Sequence, residues 1–450
     1  MTAFGIALFC LAAAVAQAQS FIHPGLLHRQ SDLDRMRSMV KAGAEPWTSG
    51  WKRLSANSHS SLGYVARPAS RIYRGTGTPE NYARLFNDAA AGYALALRWH
   101  ISGDAAYADA AVRLLDAWSD SLASIEGTSD RYLASGIYGY EMANAAELMR
   151  GYAGWAPADF ARFRTMMMTV FYPMNHAFLT AHNGACISHY WANWDLCNMA
   201  SMISIGVLCD NRSVYAEAVA YFKGGSGNGA IKNCVWFLHP GNLGQWQESG
   251  RDQGHSVMGP AVMGAVCETA WNQGDDLYGF DDNRFLKGAE YVAKYNLGQD
   301  VPYAAYDNCD QVDQAAISTL GRGEVRPGWE LLYNHYVNRM GLDAPYCRAQ
   351  AEARRPEGGG GDYGPNSGGF DQLGYGTLTA TLAPGSVGIL ASPRDIDSRY
   401  PDHGRPGLRD APVLRVCLGR ITLDQTYLTD IRGRSPDHLF QGIKSLISPK

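Results

Sequence analysis

From about Leu33 to Asn338 the chain repeats one pattern: an apolar segment at helical spacing, a short polar or glycine-rich turn, then another such segment. Asn87 to His100 (NDAAAGYALALRWH) places Ala, Leu and Trp at that spacing and stops at Ser102-Gly103-Asp104. Ala105 to Ala123 then starts a second helix, closed by Thr128-Ser129-Asp130. Tyr138–Tyr152, Trp191–Leu208, Val214–Phe222, Ser256–Trp271 and Arg284–Leu297 repeat the scheme. Pro157 to Tyr172 joins them, with a proline suited to its first turn and Pro173 marking its end. Paired antiparallel helices with short connections curl into an open or closed toroid. An α-solenoid is the competing arrangement, but no fixed repeat length is present.

The two ends differ from this body. Phe4 to Val15 is apolar and Ala16-Gln17-Ala18 is a small-x-small site, so residues 1–18 read as a secretory signal peptide. No later segment has about 18 uninterrupted apolar residues, so a membrane span is not expected. After Arg355 comes the glycine run Gly358–Gly361, read as flexible, then a Gly/Tyr-rich C-terminal loop region over Tyr363–Thr381, read as crossing a cleft. Residues 19–390 are expected to form one catalytic domain. Residues 391–450, rich in Arg, Asp and Pro and without Trp, read as a poorly structured tail.

Eight cysteines follow Cys10: Cys186, Cys197, Cys209, Cys234, Cys267, Cys309, Cys347 and Cys417. An even number in a secreted chain favours disulfides, and the sequence does not choose the pairing. No CxxC pair occurs, so Cys186 and His189 make a poor zinc site and no metal or other cofactor is expected. Asn211-Arg212-Ser213 is an N-glycosylation acceptor, a motif common by chance and consistent with a secreted glycoprotein. A formal charge of −4 gives no support to nucleic-acid binding. The 11 Trp and 25 Tyr suit flat platforms for sugar rings, and suit a large core equally.

The segment Glu248-Ser249-Gly250-Arg251-Asp252-Gln253-Gly254-His255 carries the most chemistry. If it begins a helix, Arg251 and His255 project from one face. A fixed cation beside an imidazole disfavours a second positive charge there and so keeps the ring neutral. A neutral His beside an anion-binding Arg suits proton abstraction from a carboxylate-bearing substrate. A second segment is His189-Tyr190-Trp191-Ala192-Asn193-Trp194-Asp195-Leu196-Cys197-Asn198. On a helix, His189, Asn193 and Cys197 share one face, with Trp194 and Asn198 on the next. Polar groups on so apolar a helix must face a cavity or join an internal network.

Tyr303 and Tyr306 lie in a third segment, on a loop directly after a helix. A Tyr there can pass a proton, or can simply pack. Asp275, Asp276, Asp281 and Asp282 read as a solvated turn rather than a cation site, and nothing converges on His335 and Arg339.

Together, Asn87–Trp118, His189–Ser201 and Gln245–Gly279 resemble the alginate lyase superfamily of polysaccharide lyases. The likeness covers about Phe21 to Leu390. It implies an all-α fold, an α/α toroid of the incomplete (α/α)6–7 barrel type, with the sugar chain across a central groove. It also implies cleavage of β-1,4-linked polyuronates, alginate (polymannuronate) or glucuronan, by β-elimination. Carried onto this chain, Asn193 or Asn198 neutralises the uronate carboxylate and Arg251 binds it. His255 is then the base, and Tyr303 or Tyr306 the acid. His189, Trp194, Asn198, Trp246, Gln247 and Tyr363 are expected to bind the sugar chain. Early Asn and His are adjacent in some toroidal alginate lyases, whereas here three residues separate His189 from Asn193.

The expected product is therefore a secreted, extracellular monomer acting on an acidic polysaccharide, with neither nucleic acid nor membrane as partner. A glycoside hydrolase on the same toroid would instead need two separated carboxylates, for which Glu248, Asp252 and Asp195 are available. A non-catalytic sugar-binding protein is the third reading.

Overall fold

The computed structural model describes residues 20–77, 79–364 and 370–383, with the backbone of a short hairpin at Val416–Cys417 and Arg420–Ile421. The chain divides into two units, 1–395 and 396–450, and that hairpin is the described part of the second. The proposed signal and most of the tail lie outside the described residues, as does residue 78.

The first unit is helical. Its helices are α1 (Gln30–Lys41), α2 (Trp47–Ala56), α3 (Ala83–Ser102), α4 (Ala105–Ser121), α5 (Arg131–Met149), α6 (Pro157–Met166) and α7 (Tyr172–Ala181). They continue as α8 (Ala192–Leu208), α9 (Arg212–Gly224), α10 (Ile231–Cys234), α11 (Gln253–Asn272) and α12 (Phe280–Asn296). Three short ones follow: α13 (Trp329–Tyr333), α14 (Pro345–Arg354) and α15 (Gly376–Thr379). Two small sheets accompany them. β1 (Arg71–Arg74) pairs in parallel with β2 (Ser124–Gly127), and β3 (Val235–His239) pairs antiparallel with β4 (Leu243–Trp246).

Packing sorts the helices into two rings. α3 packs on α5, α5 on α8, α8 on α11 and α11 on α13, while α4, α7, α9 and α12 lie outside as their hairpin mates. An inner helix with neighbours on every side must be apolar all round. All seventeen residues of α8 are buried, as are Ala134–Met149 of α5. Outer helices such as α4 bury one stripe only. Side-chain caps end the turns: Asp104 accepts from the N–H of Ala106, and Asn211, the sequon asparagine, from that of Val214.

Three expectations need correction. Pro173 does not end the helical segment that begins at Pro157. A π-turn at Met167–Phe171 widens the helix ahead of it, and the missing N–H falls in the first turn of α7, where no partner is needed. The glycine run is not a flexible stretch. Gly358, Gly359 and Gly360 are buried, and a Cβ on Gly359 would sit 2.6 Å from the Leu373 carbonyl, so the two chain segments cross at glycine contact distance. Among the described residues one disulfide forms, Cys186–Cys309, whereas Cys197, Cys234, Cys267 and Cys347 are buried thiols and Cys209 a half-buried one.

Candidate active site

The site is built along one strip: β4, a 3-10 turn at Gln247–Gly250, and the first turn of α11. Trp246 anchors the strip from below. It is fully buried, and a Cβ on Gly259 would lie 2.3 Å from its indole, so α11 rests on the ring at a position only glycine allows. The expectation that Trp246 binds sugar is therefore corrected: its ring is core.

The strip is joined to α8 by that helix's own unpaired N–H groups. Gln247 Oε1 accepts from the N–H of Ala192 (3.0 Å), and Glu248 Oε2 from that of Asn193 (3.2 Å). A carboxylate at a helix N-terminus gains from both the hydrogen bond and the dipole. Burial nonetheless pushes the Glu248 carboxyl up, against the opposing pull of the Arg251 guanidinium. Gln247 is thus a buried connector.

Arg251 and His255 meet. Arg251 Nη1 donates to Glu248 Oε1 at 2.9 Å, its Nε lies 3.4 Å from Asp252 Oδ2, and its Nη2 lies 3.3 Å from His255 Nε2. The guanidinium also lies over the Trp191 ring, 5.2 Å from its centroid. Asp252 caps α11 by accepting from the His255 N–H at 2.8 Å, and its second oxygen lies 2.7 Å from His255 Nδ1. Burial opposes charge on Asp252, but the hydrogen bonds from His255 and the nearby Arg251 hold its carboxyl below the usual range. Every residue of α11 except His255 is buried, and that side chain keeps 36% of its exposure. The helix therefore opens to solvent at one residue, and that residue is an imidazole.

The loop after α12 runs beside this strip. Ser318 N–H donates to the Ser249 carbonyl, and Gln253 N–H to that of Leu320. Within it the Tyr303 hydroxyl donates to the Gln314 carbonyl (2.8 Å) and lies so near Gly250 that a Cβ there would be 2.3 Å from the phenol oxygen. The Tyr306 hydroxyl donates to Asn228 Oδ1 (3.1 Å), beside the Gln247 side chain. Burial pushes the Tyr303 phenol up to about 12 and raises that of Tyr306. Both are thereby kept as protonated donors. Asn228, whose amide also donates to the Ser188 and Tyr190 carbonyls, is a tie that sequence reasoning missed.

The remaining expected residues separate. His189 is not on a helix: α8 starts at Ala192, and His189 sits in the preceding loop, half-exposed, with Nδ1 2.5 Å from Asp310 beside the disulfide. Cys186 is used in that bond, which removes it as a thiolate ligand. Asn193 is buried beside the strip, and its Oδ1 has no hydrogen-bond partner. Asn198 belongs to the interior. Its Oδ1 accepts from Asn175 (2.8 Å) and its amide donates to the Trp194 and Tyr132 carbonyls, so it ties α5, α7 and α8 together instead of meeting a sugar. Trp194 packs against Tyr190 and Phe178 and is likewise buried. Tyr363 lies in the C-terminal turn, accepting from the Gly358 N–H, with burial pushing its phenol up to about 12.

Of the three carboxylates available to the two-carboxylate reading, Asp252 is held by His255 and Arg251. Asp195 is fully buried and bound by His182, Tyr221 and the Gly229 N–H, and Glu248 is fully buried too. The acidic turn residues are each engaged separately: Asp275 by Tyr215, Asp276 by the Gly279 N–H, Asp281 by Arg284 and Asp282 by Lys287. His335 is buried against Tyr278 and bound to Arg339, which pairs with Glu268.

Comparison with known proteins agrees with this architecture. The toroid is similar to alginate lyase A1-III from Sphingomonas species A1, with TM-score 0.53 at 14% identity over 78% of this chain and 95% of that one. A variant of that enzyme complexed with tetrasaccharide gives 0.52 at 14% over 78% and 94%. An alginate lyase from Bacteroides ovatus gives 0.55 at 12%, over 80% of this chain and all of that one. At such identities the likeness concerns fold. No curated protein matches the sequence. The sequence profile of alginate lyase matches residues 67–301, more than half of the chain and all of the strip from β4 to His255. With its helical toroid, the chain belongs to the alginate lyase family and is a polysaccharide lyase.

Proposed function

We propose that this chain is a secreted lyase that cleaves β-1,4-linked polyuronates, polymannuronate or glucuronan, by β-elimination without a cofactor. The observation that carries the reading is the 3.3 Å contact between Arg251 and His255 at the one solvent-open position of α11. In a uronate the C5 hydrogen and the carboxylate group are both bonded to C5. A base and a cation must therefore be neighbours to serve both, and this pair is. Arg251 takes the carboxylate, His255 Nε2 takes the C5 proton, and charge developing on the carboxylate in the enolate-like intermediate is met by donors already in place. Asn193, at the α8 terminus beside Glu248, is the amide assigned to that carboxylate.

Tyr303 or Tyr306 returns a proton to the departing O4. Burial raises both phenol pKa values, which keeps the proton on the oxygen and favours that role over the base's. In both D-mannuronate and D-glucuronate the C5 hydrogen and O4 lie on the same side, so base and acid can approach from one face. Alginate lyase A1-III is known complexed with a tetrasaccharide, and an acidic sugar chain crossing the toroid is the corresponding partner here. Export rests on the apolar start and small-residue site of residues 1–18.

The test is turnover of a panel of polyuronates by the purified protein, followed by the ultraviolet absorbance of the unsaturated product and its mass. Growth of that absorbance on mannuronate or glucuronate polymers is expected. Products bearing an added water and no absorbance contradict the reading.

A further inference from the structure

His255 is held by more than Arg251. Its Nδ1 faces Asp252 Oδ2 at 2.7 Å, and an ionised carboxylate only accepts, so Nδ1 carries the hydrogen. Its Nε2 faces Arg251 Nη2 at 3.3 Å, and a guanidinium only donates, so Nε2 keeps its lone pair. Two neighbours on opposite edges of the ring thus select the same neutral tautomer. Asp252 is itself fixed, because its other oxygen caps α11 through the N–H of the same histidine (2.8 Å). Charged groups beside this turn among the described residues include Glu248, on Arg251, and Glu324, which pairs with Arg326 and whose carboxylate lies 2.6 Å from where a Cβ on Gly254 would stand.

We infer that Asp252 is a positioning residue for His255, holding the ring in the Nδ1–H tautomer with Nε2 aimed at the C5 hydrogen and stabilising the imidazolium once that proton has arrived. The inference rests on His255 being the base. Proton and charge balance: the C5–H bond breaks, its proton goes to Nε2, and its electron pair goes into the enolate-like intermediate. While substrate is absent, Arg251 occupies the Nε2 side. A uronate carboxylate that draws the guanidinium to itself leaves Nε2 free for the transfer. Proton acceptance and carboxylate binding are in this way coupled at one atom. Aspartate suits the place because one side chain can serve helix cap and ring together, and neither Asn nor Ser can do both.

The experiment compares Asp252→Asn, Asp252→Ser and His255→Ala. Asn and Ser both remain good helix caps, so the fold is retained and checked by circular dichroism. An Asn that uses its oxygen on the N–H turns its amide hydrogens toward Nδ1 and imposes the opposite tautomer. Imidazole 15N NMR of the unliganded protein, with the His255 signals assigned from their loss in His255→Ala, reads this without any turnover. Wild type is expected to show Nδ1–H. Asp252→Asn is expected to show Nε2–H, with kcat on the polyuronate that wild type cleaves falling by roughly 10²-fold or more at nearly constant KM. Asp252→Ser, which leaves Nδ1 without the carboxylate, should show mixed tautomers and a similar fall. If His255→Ala is inactive while Asp252→Asn keeps the wild-type tautomer and kcat, the positioning role is overturned and the base stands. If His255→Ala turns over normally, base and positioning role fall together.

Discussion

At the scale of single residues, the strip 247–255 separates groups that look alike in sequence. Arg251 is bracketed by Glu248 and Asp252, so its charge is largely offset until a substrate carboxylate competes for it. Replacing it with Ala removes a charge-assisted contact worth about 1.5–3 kcal/mol, so KM should rise roughly 10- to 100-fold. Steady-state kinetics on the cleaved polyuronate checks this, and an unchanged KM contradicts the role. The Arg251–His255 pair is expected from i, i+4 spacing on one helix, but Arg251 lies ahead of the extended Asp252 N-cap and reaches His255 across the start of α11. The Asp252 contact is equally available in the sequence, since an N-cap aspartate three residues before a histidine reaches it, but the same residue also fits a spare carboxylate. Asn198 and Trp194 were not legible. A polar or aromatic group on an apolar helix satisfies the same pattern whether it faces a groove or a network, and only neighbours distant in sequence, Asn175 and Phe178, decide.

At the scale of elements, the helical hairpins followed from periodicity and punctuation, and their boundaries mostly agree to within a few residues. What spacing could not supply was the link between separate segments. The loop bearing Tyr303 and Tyr306 is tied to the segment before α8 by Cys186–Cys309, across 123 residues of chain, with the Cys309 N–H donating to Ser188 Oγ beside it. Cysteine pairing depends on which loops meet, and eight cysteines alone do not say. Cys186→Ser should lower stability by about 2–5 kcal/mol, a figure for a long closed loop, and should lower kcat more than it raises KM, because both phenols lose their fixed place. Chemical denaturation and kinetics of the variant check it; wild-type kcat would detach the loop from the chemistry. Trp246 teaches the converse, since its core role is signalled only by the glycines that touch it, Gly259 and Gly288.

At the scale of the first unit, the toroid's inner helices leave so little open that the single exposed histidine of α11 stands out. The start of the described chain is strapped across its outside. Phe21 lies under Arg212 at 3.6 Å, Gln273 binds the Ile22 backbone, and His23 bridges buried Glu147 and Asp210. Burial works against charge on His23, but the hydrogen bond and charge of Glu147, joined by Asp210, outweigh it and the opposing Arg150, so its pKa is raised. A raised folded-state value means that the contribution is fully present below the unfolded value near about 6.5, and is lost as pH climbs through the folded one. His23→Gln should therefore lower Tm clearly in mild acid and little in mild alkali. Thermal melts of both proteins across that range check the sign, and an equal loss at every pH contradicts it.

The most direct measurement is the rate at which folded His255→Ala releases unsaturated product from the polyuronate that wild type cleaves. A loss of at least ~10²-fold, with circular dichroism and melting unchanged, is the expected result for removal of the general base. Wild-type turnover by that variant contradicts the account.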